Sequence, residues 1–130
     1  MKYKTDEIKN QFDNNIHSML HKLLILLDVF SFLISGKEIV ITSLIREPNG
    51  KTLSYHPVGA AADLRIKEYK NNIYTPYYSV LQFSAIQMVL ILLKMFDKKI
   101  DFNLHKELLG TPNAHLHIEY ETREEGILPR

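Results

Sequence analysis

The chain has 130 residues, the size of one domain with a hydrophobic core, and we expect a single domain over residues 1–130. Sixteen basic against fifteen acidic residues give a formal net charge of +1, so nucleic acid is not an expected partner. The absence of cysteine excludes disulfide frameworks, thiolate metal sites and cysteine nucleophiles, and leaves histidine, aspartate and glutamate as candidate ligands.

Two apolar segments predict helices. Apolar residues recur at spacings of three and four from about residue 6 to residue 35, which predicts one long helix that stops at Gly36. A second helix is predicted over about 78–97, and we expect it to be largely buried because it is apolar over most of its circumference.

Neither a membrane span nor a signal peptide is predicted. The most apolar run, 23–34, falls short of about 20 apolar residues and contains Asp28. The segment before it mixes acidic with basic residues and lacks a small-residue cleavage site. We therefore expect a chain that is cytoplasmic as synthesised.

Three further segments alternate as half-buried strands do. They lie near 38–45, 62–67 and 115–121, and the Pro-Asn-Gly of REPNGKT marks a turn after the first. LHKELLGTPN, 104–113, predicts a short helical turn or loop. The expected fold is α+β, with a small antiparallel sheet, both helices packed on one face and a metal site on the other.

Two segments carry the residues of a candidate site. SYHPVGAAADL, 54–64, has no helical period and no strand alternation until its last residues, which indicates a site. On the last predicted strand, His115, His117 and Glu119 are spaced by two, so their side chains share one face.

These residue types suit a catalytic zinc ion. Zinc accepts histidine nitrogen and aspartate oxygen, and a catalytic site usually keeps one position for water. His56, Asp63 and one histidine of the HLH pair would supply three protein ligands. Zinc lowers the pKa of a bound water to about 7 and polarises a carbonyl group, so the chemistry expected is hydrolysis. Other divalent metals remain open, because the same ligands accept several.

The two segments resemble a known family. SYHPVGAAADL matches the S-x-H-x-x-G-x-A-x-D signature of the zinc D-alanyl-D-alanine carboxypeptidases, the peptidoglycan L-alanyl-D-glutamate endopeptidases of phage and the hedgehog signalling domain. The HLH of residues 115–117 is similar to the family's H-x-H. The resemblance extends from residue 37 through Glu119, with the elements in the same order, and it implies a hedgehog-like fold.

The resemblance also implies roles for individual residues. The implied zinc ligands are His56, Asp63 and His117. It implies that Arg46 holds substrate and stabilises developing negative charge, and that Ser54 contacts substrate.

The general base departs from the family pattern. Many members carry a glutamate three residues before the last ligand, where this chain has Ala114. His115 is therefore the expected proton-transfer group, with Glu119 as an alternative base or as a partner of a ligand.

The resemblance implies a zinc metallopeptidase that hydrolyses an amide bond in peptidoglycan stem peptides. Carboxypeptidase and endopeptidase activities are not separated by the sequence, and a phage or prophage lysis enzyme (endolysin) that acts on the cell wall is consistent with it. The alternative is a catalytically inactive zinc scaffold with a binding or structural role. A metal-free adaptor is a third hypothesis, and the oligomeric state is left open.

Overall fold

The computed structural model describes residues 1–104 and 114–130 and has an α+β fold. The helices are α1 (Asp6–Asn14), α2 (Ser18–Ser35) and α3 (Val80–Phe96). The strands are β1 (Lys2–Tyr3), β2 (Val40–Ser43), β3 (Ala61–Arg65), β4 (Lys67–Lys70), β5 (Ile73–Pro76), β6 (Ile100–Leu104) and β7 (His115–Tyr120). Apart from Leu104, the predicted turn over 104–113 lies outside the described residues.

The sheet that carries the site is mixed. Its order is β1-β2-β3-β7-β6, and all neighbours are antiparallel except β1 and β2. The α+β class and the antiparallel arrangement of β2, β3 and β7 are confirmed. The prediction of a purely antiparallel sheet is wrong, because β1 pairs in parallel with β2, and β6 adds an edge strand that was not predicted.

Strands β4 and β5 form a separate hairpin that was also not predicted. Asn71 and Asn72 connect them with positive φ angles of 52° and 62°. Asparagine tolerates this left-handed conformation better than most residues, which suits the two-residue turn.

The prediction of one helix from residue 6 to residue 35 is wrong, because the helix is interrupted between Asn14 and Ser18. The backbone N–H of His17 donates to the carbonyl oxygen of Gly59 at 2.8 Å, so this junction contacts the loop of the SYHPVGAAADL segment. The Nδ1 atom of His17 accepts from the backbone N–H of Met19 and caps α2. This tertiary contact, together with the cap, stabilises the break.

We expect Gly59→Ala to lower the free energy of unfolding by more than about 2 kcal/mol. Gly59 has a φ of 73°, and a Cβ atom there would lie 3.0 Å from the carbonyl oxygen of Asn15. Gly126 is the matched control, because it has a φ of 77° but no atom of the described residues within 4 Å of a Cβ. Gly126→Ala should lower the free energy of unfolding by only about 1 kcal/mol. Urea unfolding measures both variants. Equal losses would contradict the close packing at Gly59.

The prediction that the second helix is largely buried is also wrong. In α3 only Ile86 and Leu90 are fully buried, whereas Leu81 and Phe96 are exposed. The helices cover one face of the sheet, and in the described part of the chain no further layer covers the helices. The outer face of an apolar helix in such a two-layer fold therefore meets solvent.

Helix α2 is long and apolar enough to cross a membrane, by length and composition only. Its inner face packs in the core through Leu20, Leu24 and Leu27. Of its 18 residues, 28% are buried. The absence of a membrane span stays a prediction.

The hydrophobic core lies between the helices and the sheet. Leu64 on β3 and Leu116 and Ile118 on β7 point into it. Because side chains alternate along a strand, Asp63 and His117 point to the opposite face. The candidate site is thus on the face of the sheet that the helices leave open.

Candidate metal centre

Three elements bring one aspartate and two histidines together. His56 begins a short 3-10 turn, His56–Val58, while Asp63 and His117 are directly opposed in the β3–β7 ladder. One potential ligand atom from each residue lies within 4.8 Å of the others. His56 and Asp63 are almost fully buried, with 1% and 4% of their surfaces exposed. The group can hold a metal ion.

The two distances from Asp63 to the histidine nitrogens are close to the ligand spacing of a tetrahedral site. The Oδ1 atom of Asp63 lies 3.2 Å from Nε2 of His56 and 2.9 Å from Nδ1 of His117. Two ligands of tetrahedral zinc lie about 3.4 Å apart, given bonds of about 2.0–2.1 Å. Small shifts of these side chains are therefore sufficient to place all three atoms around one ion.

The outer nitrogen of each imidazole already has a partner that fixes the ring. Nδ1 of His56 donates to the backbone carbonyl of Leu44, so Nε2 is the nitrogen directed at Asp63. Nε2 and Oδ1 of Asp63 are 3.2 Å apart, a distance that a proton or a metal ion between them would bridge. Nε2 of His117 faces Oε2 of Glu119 at 3.2 Å, so Nδ1 is the nitrogen directed inward. Both rings are oriented as metal ligands are.

The electrostatics of the centre favour a positive charge. Burial raises the pKa of Asp63, but hydrogen bonds with His117 and His56 outweigh it and hold that pKa below its usual range. Burial lowers the pKa of His117, but hydrogen bonds with Asp63 and Glu119 outweigh it and raise that pKa to about 9. In the metal-free protein His117 is therefore an imidazolium at neutral pH, held between two carboxylates.

Two further predicted residues reach the same carboxylate. Nε2 of His115 lies 3.5 Å from Oδ1 of Asp63. Nη2 of Arg46 lies 3.7 Å from Oδ2, the second oxygen of the same carboxylate. Arg46 is about half exposed, so its guanidinium borders the centre on the solvent side.

Ser54 lines the cleft beside the centre but also has a local structural role. Its Oγ accepts from the backbone N–H of His56 at 3.1 Å, which shapes the turn that carries this histidine. Its backbone N–H and carbonyl pair with Arg130 at 2.8 and 2.9 Å. The cleft has a volume of about 260 Å³, and Arg46, Glu47 and Thr52 also line it.

Glu119 lies behind His117 as seen from Asp63. Its carboxylate contacts the outer nitrogen of His117, on the opposite side of the ring from the three converging atoms. This position favours the role of ligand partner over that of general base.

We expect Glu119→Gln to lower the affinity for zinc by about 10–100-fold. Glutamine keeps the shape of the side chain but removes its negative charge. That charge orients the His117 ring and makes His117 a more basic ligand. Glu124→Gln is the matched control, because Glu124 is exposed and pairs with Lys99 outside the site. Isothermal titration calorimetry measures both affinities, and an unchanged Glu119→Gln affinity would exclude this partner role.

Sequence reasoning missed several residues that position the ligands. The carbonyl of Leu44 orients His56, and Oγ1 of Thr42 donates to the carbonyl of Asp63 at 3.2 Å. A backbone acceptor has no sequence signature, so Leu44 was not predictable. Asn103 lies opposite His117 across the β6–β7 ladder. The alternation of IDFNL was a usable signal for that strand.

Comparison with protein-family models, with curated proteins and with solved structures finds no match for this chain.

Proposed function

We propose that this chain is a zinc-dependent hydrolase that cleaves an amide bond in the stem peptide of peptidoglycan. The observation that carries the proposal is the position of Asp63 Oδ1 between Nε2 of His56 and Nδ1 of His117, at 3.2 and 2.9 Å. A His-Asp-His set with fixed ring orientations fits zinc. The peptidoglycan substrate rests on the resemblance of the SYHPVGAAADL and HLH segments.

The residues around the ligands fit the proposed reaction. Zinc would polarise the amide carbonyl and lower the pKa of the attacking water. The guanidinium of Arg46, which pairs with Asp63 from the solvent side, would stabilise negative charge that develops on the carbonyl oxygen. The imidazole of His115, 3.5 Å from Oδ1 of Asp63, would transfer a proton to the leaving nitrogen.

The cleft favours a peptide that carries a carboxylate. Arg46 in its lining would supply the cation for that carboxylate, and the volume of about 260 Å³ accommodates a short segment of chain. We further propose that the enzyme is made in the cytoplasm and acts on the cell wall, as a phage or prophage lysis enzyme does.

A second function is a zinc scaffold without turnover. The observation that favours it is Ala114, a buried residue at the position where many members of the resembled family carry the catalytic glutamate. His115 distinguishes the two functions. Its replacement by alanine abolishes hydrolysis with zinc retained if the chain is an enzyme, whereas the scaffold shows no hydrolysis before or after the change.

The test is incubation of the purified, zinc-loaded chain with intact peptidoglycan. Mass spectrometry then follows the release of D-alanine and of new amino groups, which identifies the bond. His56→Ala should lose both zinc and cleavage. His21→Ala is the matched control. His21 lies on α2, on the opposite side of the sheet from the site, where its ring stacks on Phe12. Its replacement should leave zinc binding and cleavage unchanged. Bound zinc without cleavage by the unaltered chain would support the scaffold instead.

A further inference from the structure

The outer surface of α2 and α3 is apolar. Five residues of α2 contribute, namely Ile25, Leu26, Val29, Phe32 and Leu33. Five residues of α3 contribute, namely Leu81, Met88, Ile91, Leu92 and Met95. These ten residues, the α2–α3 face, are each between 41% and 80% exposed.

The α2–α3 face has the spacing of a helix-packing seam. On α2 the exposed positions 25 or 26, 29, and 32 or 33 follow each other at three and four residues. On α3 the positions 88, 91 or 92, and 95 follow the same spacing, and 81 lies about two helical turns before 88. Such stripes fit the grooves of other helices, as in four-helix bundles. The opposite side of each helix is already packed in the core.

The area of this face matches a protein interface. At about 150–250 Å² for a fully exposed large side chain, its ten residues expose on the order of 1,000 Å². The largest apolar patch of a typical monomer is about 300–600 Å². A stable interface of standard size buries about 800 Å² per partner. The α2–α3 face is therefore large enough for one complete interface.

The charges favour a second protein chain over a lipid surface. Helices that lie on membranes carry a polar side rich in lysine and arginine opposite their apolar side. Here the opposite side is the core, and the charged residues on the two exposed stripes are Lys22 and Lys94, the latter paired with Asp101. Asp28 and Glu38 border the face beside Val29, Phe32 and Leu33, where both pair with the N-terminal amine. An almost uncharged face can meet its own copy without like-charge repulsion.

We infer that the α2–α3 face binds a second copy of this chain and forms a two-fold homodimer with a four-helix interface. The face lies on the helical side of the sheet, whereas Asp63 and His117 lie on the other. The dimer thus leaves both candidate metal centres open to solvent. This inference does not rest on the proposed function, because it concerns the opposite side of the molecule.

The test is the mass of the full chain in solution, by sedimentation velocity from about 1 to 100 micromolar. We expect twice the chain mass of 15.2 kDa. Leu33→Glu combined with Met95→Glu should reduce this to the monomer mass, because both side chains are 72% exposed and each copy would bring buried charge to the interface. Ile73→Glu is the matched control, an exposed apolar residue on β5 that should leave the dimer intact.

A second double variant, Leu26→Arg with Met88→Arg, tests the same face with the opposite charge. Circular dichroism and zinc titration on each sample show that the fold and the metal centre are retained. A monomeric unaltered chain at every concentration, or dimers that survive both double variants, would overturn the inference. So would a monomer that cosediments with phosphatidylcholine vesicles, which would assign the face to lipid.

Discussion

We expect Asp63→Asn to lower the affinity for zinc by more than about a hundredfold, beyond the range expected for an outer partner such as Glu119, and to abolish the proposed hydrolysis. Asparagine has almost the same shape, so the fold is kept. The substitution replaces a charged oxygen that lies between His56 and His117 with a neutral amide. Zinc titration and the peptidoglycan assay measure the two losses.

The same substitution has a second readout in the metal-free protein. The hydrogen bond and charge of Asp63 help to raise the pKa of His117 to about 9, so Asp63→Asn should move that pKa toward the ordinary value of 6.5. NMR titration of the His117 ring follows this change. Asp101→Asn is the matched control, since Asp101 lies on a neighbouring strand and pairs with Lys94. A His117 pKa that stays near 9 in Asp63→Asn would contradict the coupling.

Zinc at a hundred times its dissociation constant should stabilise the fold by about 2.7 kcal/mol, which corresponds to a rise in Tm of about 10 °C. The ligands come from separate segments of the fold, so an ion bound to all three opposes unfolding. A chelator should reverse the shift. Differential scanning calorimetry measures the Tm with zinc and after chelation. A Tm that neither zinc nor chelator changes would support the metal-free adaptor.

At a fixed zinc concentration, the stabilisation by zinc should increase with pH. The pKa of His117 in the folded metal-free protein, about 9, lies above its model value of 6.5. The proton therefore stabilises the metal-free fold fully below pH 6.5, and this contribution is lost as the pH rises through 9. Zinc must displace that proton, so its affinity should rise about tenfold per pH unit in this window. Calorimetric titrations at several pH values test the slope, and a flat profile would exclude proton displacement.

The candidate site was largely predictable because strand geometry is simple. A period of two places His115, His117 and Glu119 on one face whatever the rest of the fold does. The proximity of Asp63 to these residues was predictable only from the order of the motifs, since nothing in the local sequence shows that Asp63 pairs with His117. The orientation of His56 was not predictable, because a backbone carbonyl provides it.

The helices show where local patterns fail. Ile16 continues the apolar period between α1 and α2, so the sequence does not show the break. The hydrogen bond from His17 to Gly59 that stabilises it is a tertiary contact. For α3, an apolar circumference was interpreted as burial. The structure instead leaves one side exposed, because the described part of the chain has no further layer to cover it.

The pairing of β3 with β7 also sets the order in which the centre can assemble. His56 and Asp63 are seven residues apart, but Asp63 and His117 are separated by 54 residues. Closing that long loop costs more chain entropy than forming the local turn. Until β3 and β7 pair, only two of the three potential ligands can be close together, so a metal ion held by all three would report that these strands have joined.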